Sequence, residues 1–468
     1  MNFRNILFIF LTTLLFSCNK NQSKHYEVLI TNARIINIST GKISEKNFIG
    51  ISGDTIQMVD KMANLDNYKA SKIIDAKNDF AMPGLWDMHV HFRGGDTLIE
   101  ENKNLLPLYL AYGITTVRDC GGDISKSVLE WRSQIANGEL DGPSIFSSGP
   151  KLDGANPAWP GSLEVISEED VQKVLDSLES LNVDFVKIYD GSLTPDAYYN
   201  IIKAAETRGM LTTGHMPMAA DLMKSVNDGL DGSEHMYYII KSCSPKADSL
   251  TKLNKGYGMV NELVNTYNPD LAETVFKKMK QNNVSLTPTL HIGSTLSGIL
   301  DTDHSKDSLF PYIGKGIQKT YNGRIESAKR AKASGRSNMY GGIEKLSSNM
   351  MVPMYNAGVN IVAGSDAGAF NSFVYPGESL IDELHSFVNA GLTPQQALET
   401  ATMNGPKFFK IEKSYGSIAK GKVADIILLK KNPLENIDNL NTLTTVIKDT
   451  LVYDQNKLHQ LLKDIKNK

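Results

Sequence analysis

Two histidines one residue apart, His89 and His91, follow the segment Pro-Gly-Leu-Trp-Asp at positions 83–87, and downstream stand Lys187, His215, His235 and Asp366, each able to bind a cation or move a proton. Side chains two apart on a strand point to the same face, so His89 and His91 can hold one ion together. Imidazole nitrogens with a carboxylate suit zinc, and leave room for a water if the protein does not close the site. Lys187 joins the set for a different reason. Burial beside cations disfavours its charge, and a neutral amine can add carbon dioxide to form an anionic carbamate that bridges two metals. A lone histidine such as His215 is more often a hydrogen-bonded core residue, but that explanation must hold separately at every one of these positions.

The elements that position them follow from the pattern. From about residue 84, short apolar strands alternate with helices that carry readable caps, the signature of βα units and a parallel sheet. Eight candidate strands end near His91, Asp119, Ser148, Tyr189, His215, His235, His291 and Asp366. Eight is the number for a (β/α)8 barrel of TIM type, whose chemistry sits at the C-terminal strand ends. Three helices are well marked. Ser167 precedes three acidic residues and an apolar stripe of Val171, Val174, Leu175, Leu178 and Leu181; Thr194-Pro195 opens a helix closed by Gly209; Thr393-Pro394 opens one that Gly405-Pro406 ends. Residues 26–83 read as strands, and strand-like sequence returns from Gly416. A composite β-sandwich of 26–83 and 409–455 is therefore expected beside a barrel of 84–408. Segments 242–268 and 293–340 are long for βα connections. The second contains His304 and a basic stretch from Arg324 to Arg336, which reads as a solvated helical lid.

The N-terminus calls for separate treatment. Arg4 precedes an apolar run, Ile6 to Phe16, too short to span a bilayer but of signal-peptide length. It ends Leu15-Phe16-Ser17-Cys18, which looks like a bacterial lipobox. Residues 1–17 are expected to be a lipoprotein signal peptide, Cys18 the lipidated residue and 18–25 a tether. The address implied is the bacterial envelope, with the outer membrane facing the periplasm preferred. Cys120 and Cys243 form no disulfide framework and read as small buried hydrophobes. With a formal net charge of −3 and no long run of either sign, neither nucleic acid nor an anionic membrane surface is expected as a partner. Membrane contact should come through the lipid alone.

The segments MPGLWDMHVHFR, YGITTVRDCGG, DFVKIYDG, TTGHMP, GSEHM and VAGSDAG, with the tail GSIAKGKVADIILLKKNP, together resemble the amidohydrolase superfamily over nearly the whole mature chain. The resemblance implies that His89, His91 and Asp366 bind one divalent ion, His215 and His235 bind another, and carbamylated Lys187 bridges them. It implies a metal-activated hydroxide cleaving a small C–N substrate, with Asp366 as proton shuttle. Tyr189, Tyr237 or His291 would hold the oxyanion. Within the superfamily the chain is most similar to the branch of imidazolonepropionase-like proteins and Xaa-Pro dipeptidases, and the V-K-I context of Lys187 favours the two-metal dipeptidase side. His89-Val90-His91-Phe92-Arg93 is also similar to the start of dihydroorotases and hydantoinases, where the arginine holds a carboxylate in bidentate fashion. Export argues against pyrimidine synthesis, so Arg93 is expected to clamp the carboxylate of a dipeptide-like substrate. The alternatives are a cyclic amidase, a one-metal deaminase and a non-catalytic binding lipoprotein.

Overall fold

A computed structural model of the protein describes residues 24–334 and 339–466. Cys18 and the apolar N-terminal run lie outside these residues. Among the described residues no helix is long and apolar enough to cross a membrane.

The two ends of the chain share one eight-stranded mixed sheet. The long strand Lys24–Asn37 pairs antiparallel with Lys42–Ser52, which turns through Gly53 and Asp54 into Thr55–Lys61. Gly53 sits at φ 59, a left-handed conformation that costs glycine little. Lys24–Asn37 also pairs in parallel with Tyr68–Asp75 and Phe80–Pro83. Phe80–Pro83 in turn pairs antiparallel with Ile426–Leu429, and Leu443–Lys448 and Leu451–Asp454 complete the sheet. Alternation along the apolar run of Ile426–Leu429 explains why both its faces are buried. Ile426 and Leu428 join a cluster with Val28, Ile30 and Ile49, whereas Ile427 and Leu429 pack into the large core of the parallel region. The pairing forms one eight-stranded sheet. Residues 416–425 contribute only an isolated bridge, Thr55 to Val423, and the chain closes with a helix, Gln455–Lys466, that the sequence reading left unplaced.

Every strand pairing between residues 85 and 368 is parallel. The strands form three separate sheets and not the closed eight-stranded barrel expected. Leu85–His91 lies between Ala367–Gly368 and Ile114–Asp119, with Ser144–Ser147 beyond; a second sheet joins Leu163–Glu164, Leu152–Asp153, Val186–Ile188 and Thr212–Gly214; a third joins Gly232–Glu234, Ser285–Thr287 and Asn360–Ile361. The reason lies in strand length. Several strands run only two or three residues, too short for a continuous ladder, and single bonds link the sheets, such as Asp184 N to Ser147 O and Met88 N to Ala363 O.

The capped helices form where the sequence places them, with two differences. Glu168–Ser180 has a capping box between Ser167 and Asp170, and Pro195–Thr207 ends before Gly209 at φ 70. Leu181 is not part of the buried stripe; it caps the helix and is 38% exposed. The helix Pro394–Thr400 stops before Gly405-Pro406, which lies inside a further short helix, Asn404–Phe408. Proline is tolerated there because the first turn of a helix needs no N–H from it.

Candidate metal centre

His89 and His91 close the strand Leu85–His91; His215 follows Thr212–Gly214, His235 follows Gly232–Glu234, and Asp366 precedes Ala367–Gly368. The structure brings all five together. His89 and His91 approach at 3.3 Å between their Nε2 atoms, and His215 and His235 at 3.1 Å. Asp366 faces both pairs, its Oδ1 lying 3.5 Å from His89 Nε2 and 3.3 Å from His91 Nε2, and its Oδ2 3.9 Å from His235 Nε2. Lys187, on Val186–Ile188, is 1% exposed; its Nζ has no hydrogen-bond partner and lies 3.9 Å from Glu234 Oε1. Its charge is felt at His89, His215 and His235.

The opposite ring nitrogens decide how these imidazoles behave. Each Nδ1 faces an oxygen: Glu234 Oε2 at 2.8 Å for His89, Gly121 O at 3.0 Å for His91, Asp190 Oδ1 at 3.1 Å for His215 and Thr289 Oγ1 at 2.6 Å for His235. With the proton on Nδ1, all four Nε2 lone pairs are turned to one place. This is how histidine ligands are held in metal sites. Burial keeps His91, His215 and His235 biased towards the neutral form a cation needs. His89 differs. Burial opposes its charge, but Cys120, Asp366 and Glu234 outweigh that and lift it to about 9. Among the described residues, His89, His91 and Asp366 place three ligand atoms within 4.8 Å of one another, and so do His89, Cys120 and Glu234. A cation fits this donor set, since four converging imidazoles beside a buried carboxylate and an orphaned amine otherwise leave polar groups without partners.

Several supporting groups were not singled out in the sequence. Glu234 pairs with Arg118 at 2.7 Å and accepts from Thr213 Oγ1 at 2.6 Å while holding His89. Asp190, which orients His215, accepts from the Tyr257 hydroxyl at 2.5 Å, so the segment 242–268 reaches back to the centre. Asp87 holds Ser365 and the His89 amide. Adjacency to a ligand was the available signal for Glu234 and Asp190. In the structure His235, Thr289 and Asp366 also stand at φ of 63, 50 and 60, the left-handed region that non-glycine residues adopt uncommonly.

The centre opens into a cavity of about 750 Å³ lined by His91, His215, His235 and Asp366, with Tyr189 and Tyr237 in its wall. Tyr189 lies against the His215 ring at 4.5 Å between centroids. His291 does not contribute. The preceding strand ends at Thr287, and His291 falls in the next helix, Leu290–Ser297, where its Nε2 faces Asp382 at 3.6 Å and Thr295 at 3.4 Å, away from the cavity wall. Arg93 reaches the cavity, but its Nε and Nη2 are already bonded to Ala369 O and Asn371 Oδ1, and its guanidinium lies 4.1 Å over the Trp159 ring. The side-on bidentate edge expected to clamp a substrate carboxylate is thus taken by the protein itself.

Comparison with known proteins decides the family. A family model, the amidohydrolase family, matches residues 80–452. The chain belongs to the amidohydrolase family. This amidohydrolase is a hydrolase of carbon–nitrogen bonds. It is 22% identical over 429 residues to a 5-methylthioadenosine/S-adenosylhomocysteine deaminase of Caldanaerobacter subterraneus subsp. tengcongensis, covering 86% of this chain and 85% of that protein. To the ochratoxinase of Aspergillus niger it is 22% identical over 408 residues, covering 76% and 71%. In fold it is similar to a Xaa-Pro dipeptidase crystallised with methionine in its active site, at TM-score 0.65 and 22% identity over 91% of this chain and 99% of that one. A bottromycin amidohydrolase superposes at TM-score 0.72 and 17% identity, covering 94% and 89%.

Proposed function

We propose that this amidohydrolase is a two-metal enzyme cleaving an amide bond in a small substrate that carries a carboxylate, with Xaa-Pro dipeptides as the first candidates. The observation that carries the reading is the convergence of four Nδ1-anchored imidazoles and Asp366, with a buried Lys187 amine that has no hydrogen-bond partner. His89, His91 and Asp366 would hold one ion and His215 and His235 the other. Two divalent cations, for which zinc suits a nitrogen-rich donor set, would supply a water activated near neutral pH and a polarised scissile carbonyl. The Lys187 amine, with no hydrogen-bond partner of its own, would add carbon dioxide with loss of a proton, and the resulting carbamate would give the two ions a shared anionic ligand.

The residues of the chain divide the remaining work. Burial disfavours the charge on Asp366, but His89, His91 and His235 more than compensate and hold it well below the usual carboxylate range. It is therefore ionised at neutral pH, able to take the proton of the attacking water and deliver it to the leaving nitrogen. Tyr189 and Tyr237 line the cavity and are the candidate donors to a developing oxyanion. The three parallel sheets are read as arcs of one barrel over 84–408, beside a sandwich of 26–83 and 409–455.

Dialysis against a chelator is expected to abolish turnover of a panel of dipeptides, N-acyl amino acids, cyclic amides and lactones, and zinc to restore it at two ions per chain. Intact-protein mass spectrometry should find the increment of one carbon dioxide on Lys187. The deaminase relatives favour a second reading, in which one ion suffices and Lys187 stays unmodified. One ion, an unmodified lysine and turnover only of amino-heterocycles would decide for it.

Export is proposed from the sequence alone. Cys18 anchors the mature chain by lipid in the bacterial envelope, with the outer membrane facing the periplasm as its address. Globomycin is expected to make the uncleaved form accumulate, and Cys18→Ser to leave the membrane fraction. Recovery of that variant with membranes at the wild-type level removes the anchor.

A further inference from the structure

The helix Lys315–Ala333 carries six cationic side chains, and five of them, Lys315, Lys319, Lys329, Arg330 and Lys332, are exposed. Arg324 is the exception. Ile317 and Tyr321 are buried on the inner side of this helix, and Thr320 Oγ1 between them accepts from Phe370 N at 2.8 Å. Positions 317, 320, 321 and 324 follow the i, i+3, i+4, i+7 spacing of one helix face. Arg324 thus continues the inward stripe, where an apolar residue would otherwise stand, and it emerges half-buried in the wall of the cavity that holds His91, His235 and Asp366. The helix is fixed at its start, where Gly316 N and Ile317 N donate to the Glu101 carboxylate at 3.0 and 2.8 Å, so Arg324 is presented from an anchored element.

Among the described residues Arg324 forms no hydrogen bond and no ion pair. Glu344 lines the same cavity from the helix Met339–Asn356 but accepts from Ser297 Oγ and does not pair with it. Arg93 and Tyr189 line the same cavity, and the Arg324 charge is felt at both. Arg93 already spends its Nε and one Nη2 donor on Ala369 and Asn371 and stacks on Trp159. Arg324 retains its whole fork of donors. A partly desolvated guanidinium with no counter-charge, facing a cavity beside a second cation, is matched by an anion that offers two coplanar oxygens. Ile292, Leu296 and Ile343 line the cavity as well and suit an apolar side group.

We propose that Arg324 is the specificity-determining residue of this cavity and binds the free carboxylate of a small amide substrate bearing an apolar side group. The proposal rests on the C–N hydrolase reading and assigns its substrate class. The test compares kcat/KM for dipeptides and N-acyl amino acids with their C-terminal carboxamides, in the metal-loaded wild type and in Arg324→Met, Arg324→Lys and Arg330→Met. The wild type should prefer the free acids by on the order of tenfold to a hundredfold, the range of a charge-assisted hydrogen-bonded pair. Arg324→Met should lose most of that preference, chiefly through KM, with metal content as in the wild type; Arg324→Lys should recover part of it. Arg330→Met, on the exposed side of the same helix, should keep the preference. Equal turnover of acids and carboxamides by the wild type, or an undiminished preference in Arg324→Met, overturns the assignment and leaves the hydrolase standing. No turnover of any C–N substrate by the two-metal protein overturns both.

Discussion

Lys187→Ala is expected to lose turnover by on the order of a hundredfold or more, and to be purified with less metal than the wild type. The scale follows from supporting groups, since even an outer partner of a metal ligand is worth about 10–100-fold in affinity or activity. The reason for expecting so much is the isolation of the amine. Lys187 Nζ is buried, no hydrogen bond reaches it, and the Glu234 carboxylate at 3.9 Å is committed to Arg118, Thr213 and His89. A buried ammonium so placed would be costly, whereas a carbamate meets the cations proposed on either side. Truncation to alanine also opens a space at the bottom of the site. Formate or acetate is therefore expected to restore part of both activity and metal content by standing in for the carbamate oxygens. A variant that keeps two ions and full turnover removes the bridging role.

Glu234→Ala has the largest expected effect on stability. The carboxylate is fully buried between Arg118, Thr213 and His89. Its removal strands the Arg118 guanidinium, itself buried, with only the hydroxyl of Thr287 and the carbonyl of Met88 for partners. Breaking a buried pair in this way costs about 3–5 kcal/mol, read as a lowered urea midpoint. The pH dependence has a definite sign. Burial raises the Glu234 pKa, but its cationic surroundings, the Arg118 guanidinium foremost, hold it well below its ordinary value of 4.5. The folded state therefore binds fewer protons than the unfolded one in acid. The stabilisation is present above the ordinary carboxylate pKa and is lost as pH falls through the folded one. The gap between wild type and variant should accordingly shrink below about pH 4.5, and a variant as stable as the wild type at pH 7 would show that the network contributes nothing net.

How much was legible in the sequence depends on the range of the interaction involved. The helix starts at Ser167, Thr194 and Thr393 were legible because a cap is a contact within three residues. The candidate ligands were legible because each stands beside a strand whose apolar pattern is local. His291 was misplaced for a related reason: its strand stops at Thr287, and the left-handed Thr289 turns the chain into a helix before the histidine is reached. That Arg93 spends its Nε and an Nη2 donor within the protein was not legible, because the partners, Ala369 and Asn371, lie more than 270 residues away. Arg324 was read as part of a solvated lid since its stretch is strongly basic. Which of six cations faces inward depends on how Ile317 and Tyr321 dock, and composition carries no information about that.

By itself the sequence determined the alternation of strands and capped helices and the residue types of a candidate cation-binding set. These rest on periodicity and on short-range hydrogen bonds, which a linear pattern records. Only the tertiary structure decided that each of the four imidazoles has its Nδ1 facing an oxygen, that Glu234 and Asp190 stand behind the candidate ligands, and that Arg93 spends its side-on edge within the protein while Arg324, among the described residues, has no hydrogen bond or ion pair. Those are matters of direction and of competition for donors between segments far apart in the chain. Packing settles them, because a buried polar group takes whichever partner the fold brings within about 3 Å.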